Sequence, residues 1–312
     1  MWLQGNSMGN LSIISDFMLF DFTEIEELQM FYFFVFTVLY LAILTGNLLI
    51  ISAIFYDHHL HNPMYFFLMN LAIQDLGAIS VIVPKSIANI LMNTRHISYF
   101  GCVCQVFFVA FFMGSDFWIL TVMAYDRYVA ICNPLHYETI MNKQACIYMI
   151  LAVWVSSLLN AWLNTCFTFA APFCSNTINQ IFCEIPQLLK LTCMDLNQYE
   201  IKVIVVICIL GIGCFFYILI TYVSVFNAVL KIPSKEGRKK AFSTCLPHLF
   251  VVSIFLLSSL IAYMKPPSSV QDLATTVLYC FIPPLLNPLI YSMRNKDIRF
   301  ALSKLLKMRN LF

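Results

Sequence analysis

The stretch MAYDRYVAICNPLHY, residues 123–137, decides the fold of this chain. It places Asp126 and Arg127, which can form an ion pair, at the end of a long apolar run. A charge inside a bilayer is costly, so intramembrane charges are rare and usually functional. The couple is therefore expected where a helix leaves the membrane, and it is expected to have a function there.

The composition independently indicates a membrane protein. Of the 312 residues, 61% are hydrophobic and 11% are charged, and the mean hydropathy is +0.81. This leaves too little polar surface to cover a soluble globule. A membrane-spanning helix needs about 20 mostly apolar residues. Seven stretches qualify, at roughly 29–55, 64–87, 101–126, 145–168, 201–229, 241–263 and 272–293.

These spans predict an all-α membrane protein, a bundle of seven transmembrane helices. The ten-residue alternation of a transmembrane barrel does not occur in the sequence. Three segments follow: an N-terminal tail over 1–28, the seven-helix domain over 29–293, and a C-terminal helix or tail over 294–312. In the last segment Ile298 and Leu302 share one face, which predicts a short amphipathic helix on the membrane surface.

Positive charges predict the orientation, because loops rich in Lys and Arg stay in the cytoplasm. Thirteen of the 18 Lys and Arg residues fall on the side of Arg127, which leaves five on the other side. The C-terminus is therefore expected inside and the N-terminus outside, in a multi-pass plasma-membrane protein. Asn10, in the triplet Asn10-Leu11-Ser12, is then a glycosylation acceptor on the extracellular tail.

Four cysteines, Cys102, Cys174, Cys183 and Cys193, fall on the predicted outer side, where disulfides persist. Cys104 is close by, so the spacing alone does not fix the pairing.

Five motifs give the chain a family resemblance. They are GN at 46–47, LHNPMYFFL at 60–68, the stretch at 123–137, KAFSTCLPHL at 240–249, and PLLNPLIYSMRN at 284–295. Together they resemble the olfactory receptors, a family of rhodopsin-like G-protein-coupled receptors. The resemblance implies a receptor that binds a small, hydrophobic, neutral volatile molecule. It also implies activation of a stimulatory heterotrimeric G protein, which raises cyclic AMP. Membrane lipid is a further expected partner, and nucleic acid is not.

The resemblance also assigns the disulfides. GCVCQ at 101–105 is similar to the family's motif at the head of the third helix, whose cysteine bridges to the second outer loop. This implies a Cys102–Cys183 bridge and a second bridge, Cys174–Cys193, within that loop.

A switch at the cytoplasmic side is implied in the same way. Arg127 is expected to pair with Asp126 at rest, and to face a helix of the G protein when the sixth helix swings outward. The residues assigned to this switch are Asp126, Arg127, Tyr128, Tyr222, Asn287, Pro288 and Tyr291. An alternative for Tyr222 and Tyr291 is a place in the aromatic belt of the membrane interface.

Asp75 and Asp116 are the only acids well inside the predicted bilayer, and each must be protonated, paired or bound to a cation. Asn47, Asp75 and Asn287 resemble the polar cluster of rhodopsin-like receptors. The functional interpretation is a sodium or proton site that favours the inactive state. The alternative is a pair of protonated structural acids, with no cofactor.

The predicted ligand pocket lies between the third, fifth, sixth and seventh helices. One face of the third helix carries Val106, Val109, Ala110, Met113 and Gly114. The resemblance adds Val206, Leu210, Ser259, Tyr263, Val277 and Cys280. Ser259 and Tyr263 are the expected hydrogen-bond donors, because Leu256 replaces the family's usual tyrosine. Amine receptors carry Asp where this chain has Val109, which favours a neutral ligand. Any single residue of the set could instead serve packing alone.

Other classes of protein fit less well. An opsin needs a lysine in the seventh helix, and residues 272–293 contain none. A transporter, the distant alternative, would show internal repeats. No enzyme motif links the six histidines, and the cluster at 58–61 is interpreted as solvated rather than metal-binding. The main alternative is a chemoreceptor with the same fold that detects a non-odorant ligand outside the olfactory epithelium.

Overall fold

The computed structural model describes residues 15–19, 26–193, 198–264, 280–290 and 295–309. Its helices are α1 (Glu26–Tyr56), α2 (Pro63–Leu91), α3 (Tyr99–Cys132), α4 (Tyr137–Ile140), α5 (Lys143–Ala170), α6 (Ile185–Lys190), α7 (Gln198–Leu230), α8 (Lys235–Met264), α9 (Cys280–Ile290) and α10 (Lys296–Arg309).

The seven predicted spans correspond to α1, α2, α3, α5, α7, α8 and α9, which confirms the bundle. Five of the described helices are long and apolar enough to cross a membrane. α9 covers the part of the predicted span 272–293 that is described.

Several helices extend beyond the predicted spans, because polar capping residues begin them outside the apolar core. Asn62 accepts a hydrogen bond from the backbone of Tyr65 at the start of α2, at 3.3 Å. Ser98 accepts one from Gly101 at the start of α3, at 3.1 Å. Asn142 caps α5 in the same way. Hydropathy detects only the apolar part of each helix, so it misses these ends.

α3 is the central helix and packs against α2, α5 and α7. One of its ends carries Arg127 and is called the Arg127 end of the bundle. The other begins next to Cys102 and is called the disulfide end. The largest buried cluster lies toward the Arg127 end and includes Met123, Val129 and Tyr222. The residues at the disulfide end and at the Arg127 end are therefore connected by one continuous helix of 34 residues.

A short sheet ties the segment before α1 to the disulfide end. β1 (Asp16–Met18) pairs antiparallel with β2 (His96–Ser98), with Phe17 opposite Ile97. The Phe17 side chain is fully buried and stacks on Tyr99, at 5.9 Å between ring centroids. Sequence reasoning did not identify these strands, because three residues carry no recognisable alternation.

The predicted C-terminal helix is present as α10. It packs against α1, and Ile298 and Ala301 are buried on its inner face. The Tyr65 hydroxyl on α2 bonds to Asn295 and Asp297, each at 3.1 Å, which fixes the start of α10 to the bundle.

Candidate functional site at the two ends of α3

Two disulfides close the disulfide end. Cys102 is joined to Cys183, with 5.5 Å between Cα atoms, and Cys174 is joined to Cys193, with 4.9 Å. These are the pairs that the resemblance implied. Cys104, which the spacing had left as an alternative, is a free, half-buried thiol.

Hydrogen bonds hold the loop around Cys183 against two helices. The side-chain oxygen of Gln105 accepts from the backbone N–H of Cys183 at 2.8 Å, and its amide donates to the carbonyl of Val81 at 3.1 Å. The Ser86 hydroxyl of α2 donates to the carbonyl of Ile181 at 3.0 Å. Since both side chains, Gln105 and Ser86, are buried, this loop forms a fixed wall. The sequence carries no local signal for the Ser86 contact.

Four of the predicted ligand-binding residues lie near this wall. Val106 is buried in the cluster around the Cys102–Cys183 bridge. Val109 and Met113 pack against a neighbouring cluster that includes Cys280 of α9. The structure therefore brings side chains from α3 and α9 together into one apolar region, next to the loop.

The remaining predicted pocket residues are placed differently. Gly114 faces α5, because a Cβ atom built on it would lie 3.7 Å from the Asn160 amide nitrogen and 3.9 Å from the Ser157 hydroxyl. Ala110 is half-buried on α3. The side chains of Val206, Leu210, Ser259 and Tyr263, and the whole of Val277, lie outside the described residues.

A polar cluster occupies the middle of the bundle. The Asn287 amide of α9 donates to the Asp75 carboxylate of α2 at 2.8 Å. Asn47 of α1 donates to the carbonyl of Pro284 at 3.0 Å. Among the described residues, the buried Oδ1 of Asp116 has no hydrogen-bond partner, and neither does the side-chain oxygen of Asn287. Burying polar atoms without partners costs free energy, so the Asp116 carboxylate could take up a proton, and both oxygens could contact a cation.

The helix packing around this cluster is close. A Cβ atom on Gly46 of α1 would lie 2.9 Å from the ring of Pro288, which is too near for any other residue without a shift. The predicted pair Gly46-Asn47 therefore serves both the contact of α1 with α9 and the polar cluster.

At the Arg127 end, three side chains form a lock, here defined as Asp126, Arg127 and Tyr137. The Arg127 Nε donates to the Asp126 carboxylate at 2.9 Å, and its Nη2 contacts the same oxygen. The Tyr137 hydroxyl donates to the other Asp126 oxygen at 2.7 Å. The Asp126 and Arg127 side chains are 1% and 12% exposed, so the pair is shielded from water. The ion pair was expected, whereas the contact with Tyr137 was not.

Tyr137 is suited to its role as a donor. It lies in α4, between the spanning helices α3 and α5, and burial together with the Asp126 charge raises the pKa of its hydroxyl. Because its pKa lies above the usual value of about 10, the hydroxyl stays protonated at neutral pH. It therefore remains available to the Asp126 carboxylate.

Tyr222 was predicted as a switch residue, and its partner is His248 of α8. The Tyr222 hydroxyl bonds to Nδ1 of His248, and the two rings stack at 5.7 Å between centroids. Both side chains are buried. Phe226 and Phe242 continue this contact between α7 and α8, at 5.7 Å. Tyr128 packs against the same core, and Tyr291 lies outside the described residues.

One exposed apolar side chain at this end was missed by sequence reasoning. Leu135 is 94% exposed in the turn between α3 and α4. The available signal in the sequence was its position between Pro134 and His136, which separates Leu135 from the apolar runs on either side.

No group of three or more His, Cys, Asp or Glu side chains that could hold a metal occurs among the described residues. His61 instead bonds to the carbonyl of Ile54 at 3.0 Å. Asn10 lies outside the described residues.

The arrangement of the helices shows to which class of fold the protein belongs. The crystal structure of squid rhodopsin matches this chain with a TM-score of 0.72 at 20% identity, over 91% of this chain and 82% of that one. The fold is therefore that of rhodopsin, a seven-helix bundle in a multi-pass membrane protein.

Sequence relatives then give the family. Residues 36–309 match the family described as "Olfactory receptor". Human olfactory receptors 14C36 and 14A16 are each 46% identical over 304 residues, which covers 96% of this chain and 97% and 98% of those proteins. Gorilla olfactory receptor 1G1 is 42% identical over 97% of this chain and 98% of its own length. The chain belongs to the olfactory receptor family.

Proposed function

We propose that this olfactory receptor binds a small, neutral, hydrophobic odorant at the disulfide end and activates a stimulatory G protein at the Arg127 end, which raises cyclic AMP. One observation carries the proposal. α3 joins a charged lock at one end to an uncharged apolar region at the other. A rigid helix that contacts both sites can couple them.

The chemistry of the ligand follows from the α3 face. Val106, Val109 and Met113 offer apolar contact only, and Val109 stands where a protonated amine would need a carboxylate. A ligand there gains free energy mainly from burial, at about 25 cal/mol per Å² of apolar surface. Ser259 and Tyr263 of α8 would add an oriented hydrogen bond, which favours alcohols, aldehydes and ketones over hydrocarbons.

At the Arg127 end, activation requires the lock to open. Movement of α8 relative to α7 would break the contact between Tyr222 and His248. Release from Asp126 would then let Arg127 meet the G protein. The exposed Leu135 lies in the next turn of the chain and would add apolar contact with the same partner. The odorant acts by favouring this second packing of the helices.

The polar cluster would bias this equilibrium. Asp75 and Asp116, with Asn287, supply buried oxygen atoms that suit a sodium ion or a proton, and either would favour the resting packing. Replacing external sodium by choline should then lower the odorant concentration needed for a response, and Asp116→Asn should remove this dependence. An unchanged sodium dependence in Asp116→Asn would exclude the site.

For orientation, we infer an extracellular N-terminus, glycosylated at Asn10, and a cytoplasmic C-terminus in the plasma membrane, from the charge distribution of the loops. An epitope at the N-terminus should be stained on intact cells, and one at the C-terminus only after permeabilisation. Asn10→Gln should remove the glycan from the mature protein.

The function is tested by an odorant screen with a cyclic-AMP readout, in cells supplied with an olfactory-type stimulatory G protein. Neutral volatile compounds should give concentration-dependent responses that are absent with Arg127→Ala. A response through a different class of G protein would contradict the coupling, and permanently charged amines as the best ligands would contradict the pocket.

A further inference from the structure

A cavity of about 440 Å³ lies on the outside of the bundle at the Arg127 end, away from both sites described above. Its walls come from the end of α1, the start of α2 and the start of α5, and include Ile54, Phe55, Phe66 and Ile147. We call it the α1–α2–α5 groove.

The groove opens toward the lipid rather than toward the centre of the bundle. Phe55 and Ile147, on its flanks, are 66% and 40% exposed, whereas Ile54 at its base is buried. In a spanning bundle such outward apolar side chains face acyl chains. The groove is therefore shaped to take an apolar chain from the bilayer.

Its mouth is positive. Lys143 lines the groove at the first residue of α5, and the start of α2 at Asn62 and Pro63 lines it as well. Helix N-termini carry a partial positive charge, so the N-termini of α2 and α5 add to the positive charge of Lys143. None of the described residues that line the groove is acidic. Lys143 forms no salt bridge with any residue in the described part of the chain.

We propose that this groove binds an anionic phospholipid, with one acyl chain against Phe66 and Ile147 and the phosphate at Lys143. An apolar slot below a single cation, at the depth where a helix leaves the bilayer, matches both parts of such a molecule. The choice of an anionic lipid rests on the proposed orientation, because the cytoplasmic leaflet carries the acidic phospholipids.

The site also has a position from which it can influence signalling. Cys146 and Met141 line the groove, and the Cys146 thiol bonds to the Met141 carbonyl at 3.6 Å. Met141 directly follows α4, which carries Tyr137 of the lock. A lipid in the groove packs against the loop that positions Tyr137, and so it stabilises the resting lock.

The test uses the full-length receptor in phosphatidylcholine nanodiscs that contain a phosphatidylserine with a photoreactive acyl chain. Cross-links, mapped by peptide mass spectrometry, should fall on the peptides that contain Phe66 and Ile147. Lys143→Gln should reduce them about fivefold, the change that corresponds to the ~1 kcal/mol contributed by one lysine near an anionic surface. Lys231→Gln, an exposed lysine at the end of α7, is the matched control and should leave them unchanged.

A second pair of variants tests the apolar slot. Ile147→Trp should fill the groove and lower the labelling, whereas Leu151→Trp, one turn further along α5 and 49% exposed, should not. Equal labelling by a phosphatidylcholine probe, with no effect of Lys143→Gln, would overturn the proposal. So would labelling by a sterol probe that excess phosphatidylserine fails to displace. Nanodiscs present the same lipids on both faces, so the labelling does not depend on which way the receptor is oriented in a cell. Loss of labelling would therefore contradict the lipid site alone, and the epitope experiment tests the proposed orientation separately.

Discussion

The two ends of α3 are held by different kinds of interaction. At the disulfide end, a covalent bridge joins Cys102 to Cys183, and backbone groups of the loop bond to Gln105 and Ser86. At the Arg127 end, the contacts run between side chains: Arg127 and Tyr137 with Asp126, and Tyr222 with His248. A side-chain hydrogen bond contributes only about 0.5–3 kcal/mol. The Arg127 end is therefore the easier of the two ends to rearrange, and in the proposed function it is the end that a bound odorant switches.

The largest effect is expected from Arg127→Ala. The change removes the side chain that is proposed to meet the G protein, so agonist-stimulated cyclic AMP should fall to background. Odorant binding should persist, because the residue lies about 25 residues, hence roughly 35–40 Å, from the head of α3. Arg127→Lys is the comparison variant, because it keeps the positive charge and loses the planar guanidinium group. It therefore separates the effect of the charge from that of the guanidinium geometry. Normal signalling by Arg127→Ala at equal surface expression would contradict the switch.

Cys183→Ser should act on folding rather than on signalling. Losing a native disulfide from a small domain typically costs about 2–5 kcal/mol, so surface expression should drop strongly. Cys104→Ser is the control, because Cys104 lies two residues from the bridge and carries a free thiol. If flow cytometry finds both variants equally abundant at the surface, the bridge does not support the disulfide end.

Tyr137→Phe should loosen the Arg127 end selectively. It removes one hydrogen bond to a buried carboxylate, for which ~1.5–3 kcal/mol is typical. The resting lock should weaken, and cyclic AMP without odorant should rise. Tyr148→Phe, on the 69% exposed Tyr148 of α5, should have no effect. A lower basal signal in Tyr137→Phe would show that Tyr137 supports the active packing instead.

The smallest effect is expected at the ligand itself. Tyr263→Phe should weaken an alcohol agonist by about 0.5–1.5 kcal/mol, the net contribution of one neutral hydrogen bond. A hydrocarbon of the same shape should activate the unchanged receptor and Tyr263→Phe equally. Equal shifts for the two compounds would mean that the hydroxyl is not a donor to the ligand.

Much of this architecture could be predicted from the sequence, for identifiable physical reasons. The helices follow from apolar runs of sufficient length, and the bridges follow from motifs around Cys102 and Cys183. The contact of Tyr137 with Asp126 could not be predicted, because it depends on how the turn after α3 folds back. The same applies to His248, which meets Tyr222 from another helix.

Gly114 shows a limit of periodicity. Eight residues after Val106 correspond to about 80° around a helix, whereas seven residues, to Met113, correspond to about 20°. Met113 therefore stays on the face of Val106, and Gly114 turns toward α5. The burial of Phe17 in β1 could not be predicted from periodicity at all, because a strand of three residues is too short to show an alternation of apolar and polar residues.

The most direct measurement compares one variant from each end of α3 in the same odorant concentration–response experiment. Met113→Ala, at the disulfide end, should raise the concentration for half-maximal cyclic AMP and leave the signal without odorant unchanged. Tyr137→Phe, at the Arg127 end, should raise the signal without odorant. The opposite assignment, with Met113→Ala changing basal activity and Tyr137→Phe changing only odorant sensitivity, would contradict a division between a recognising end and a switching end.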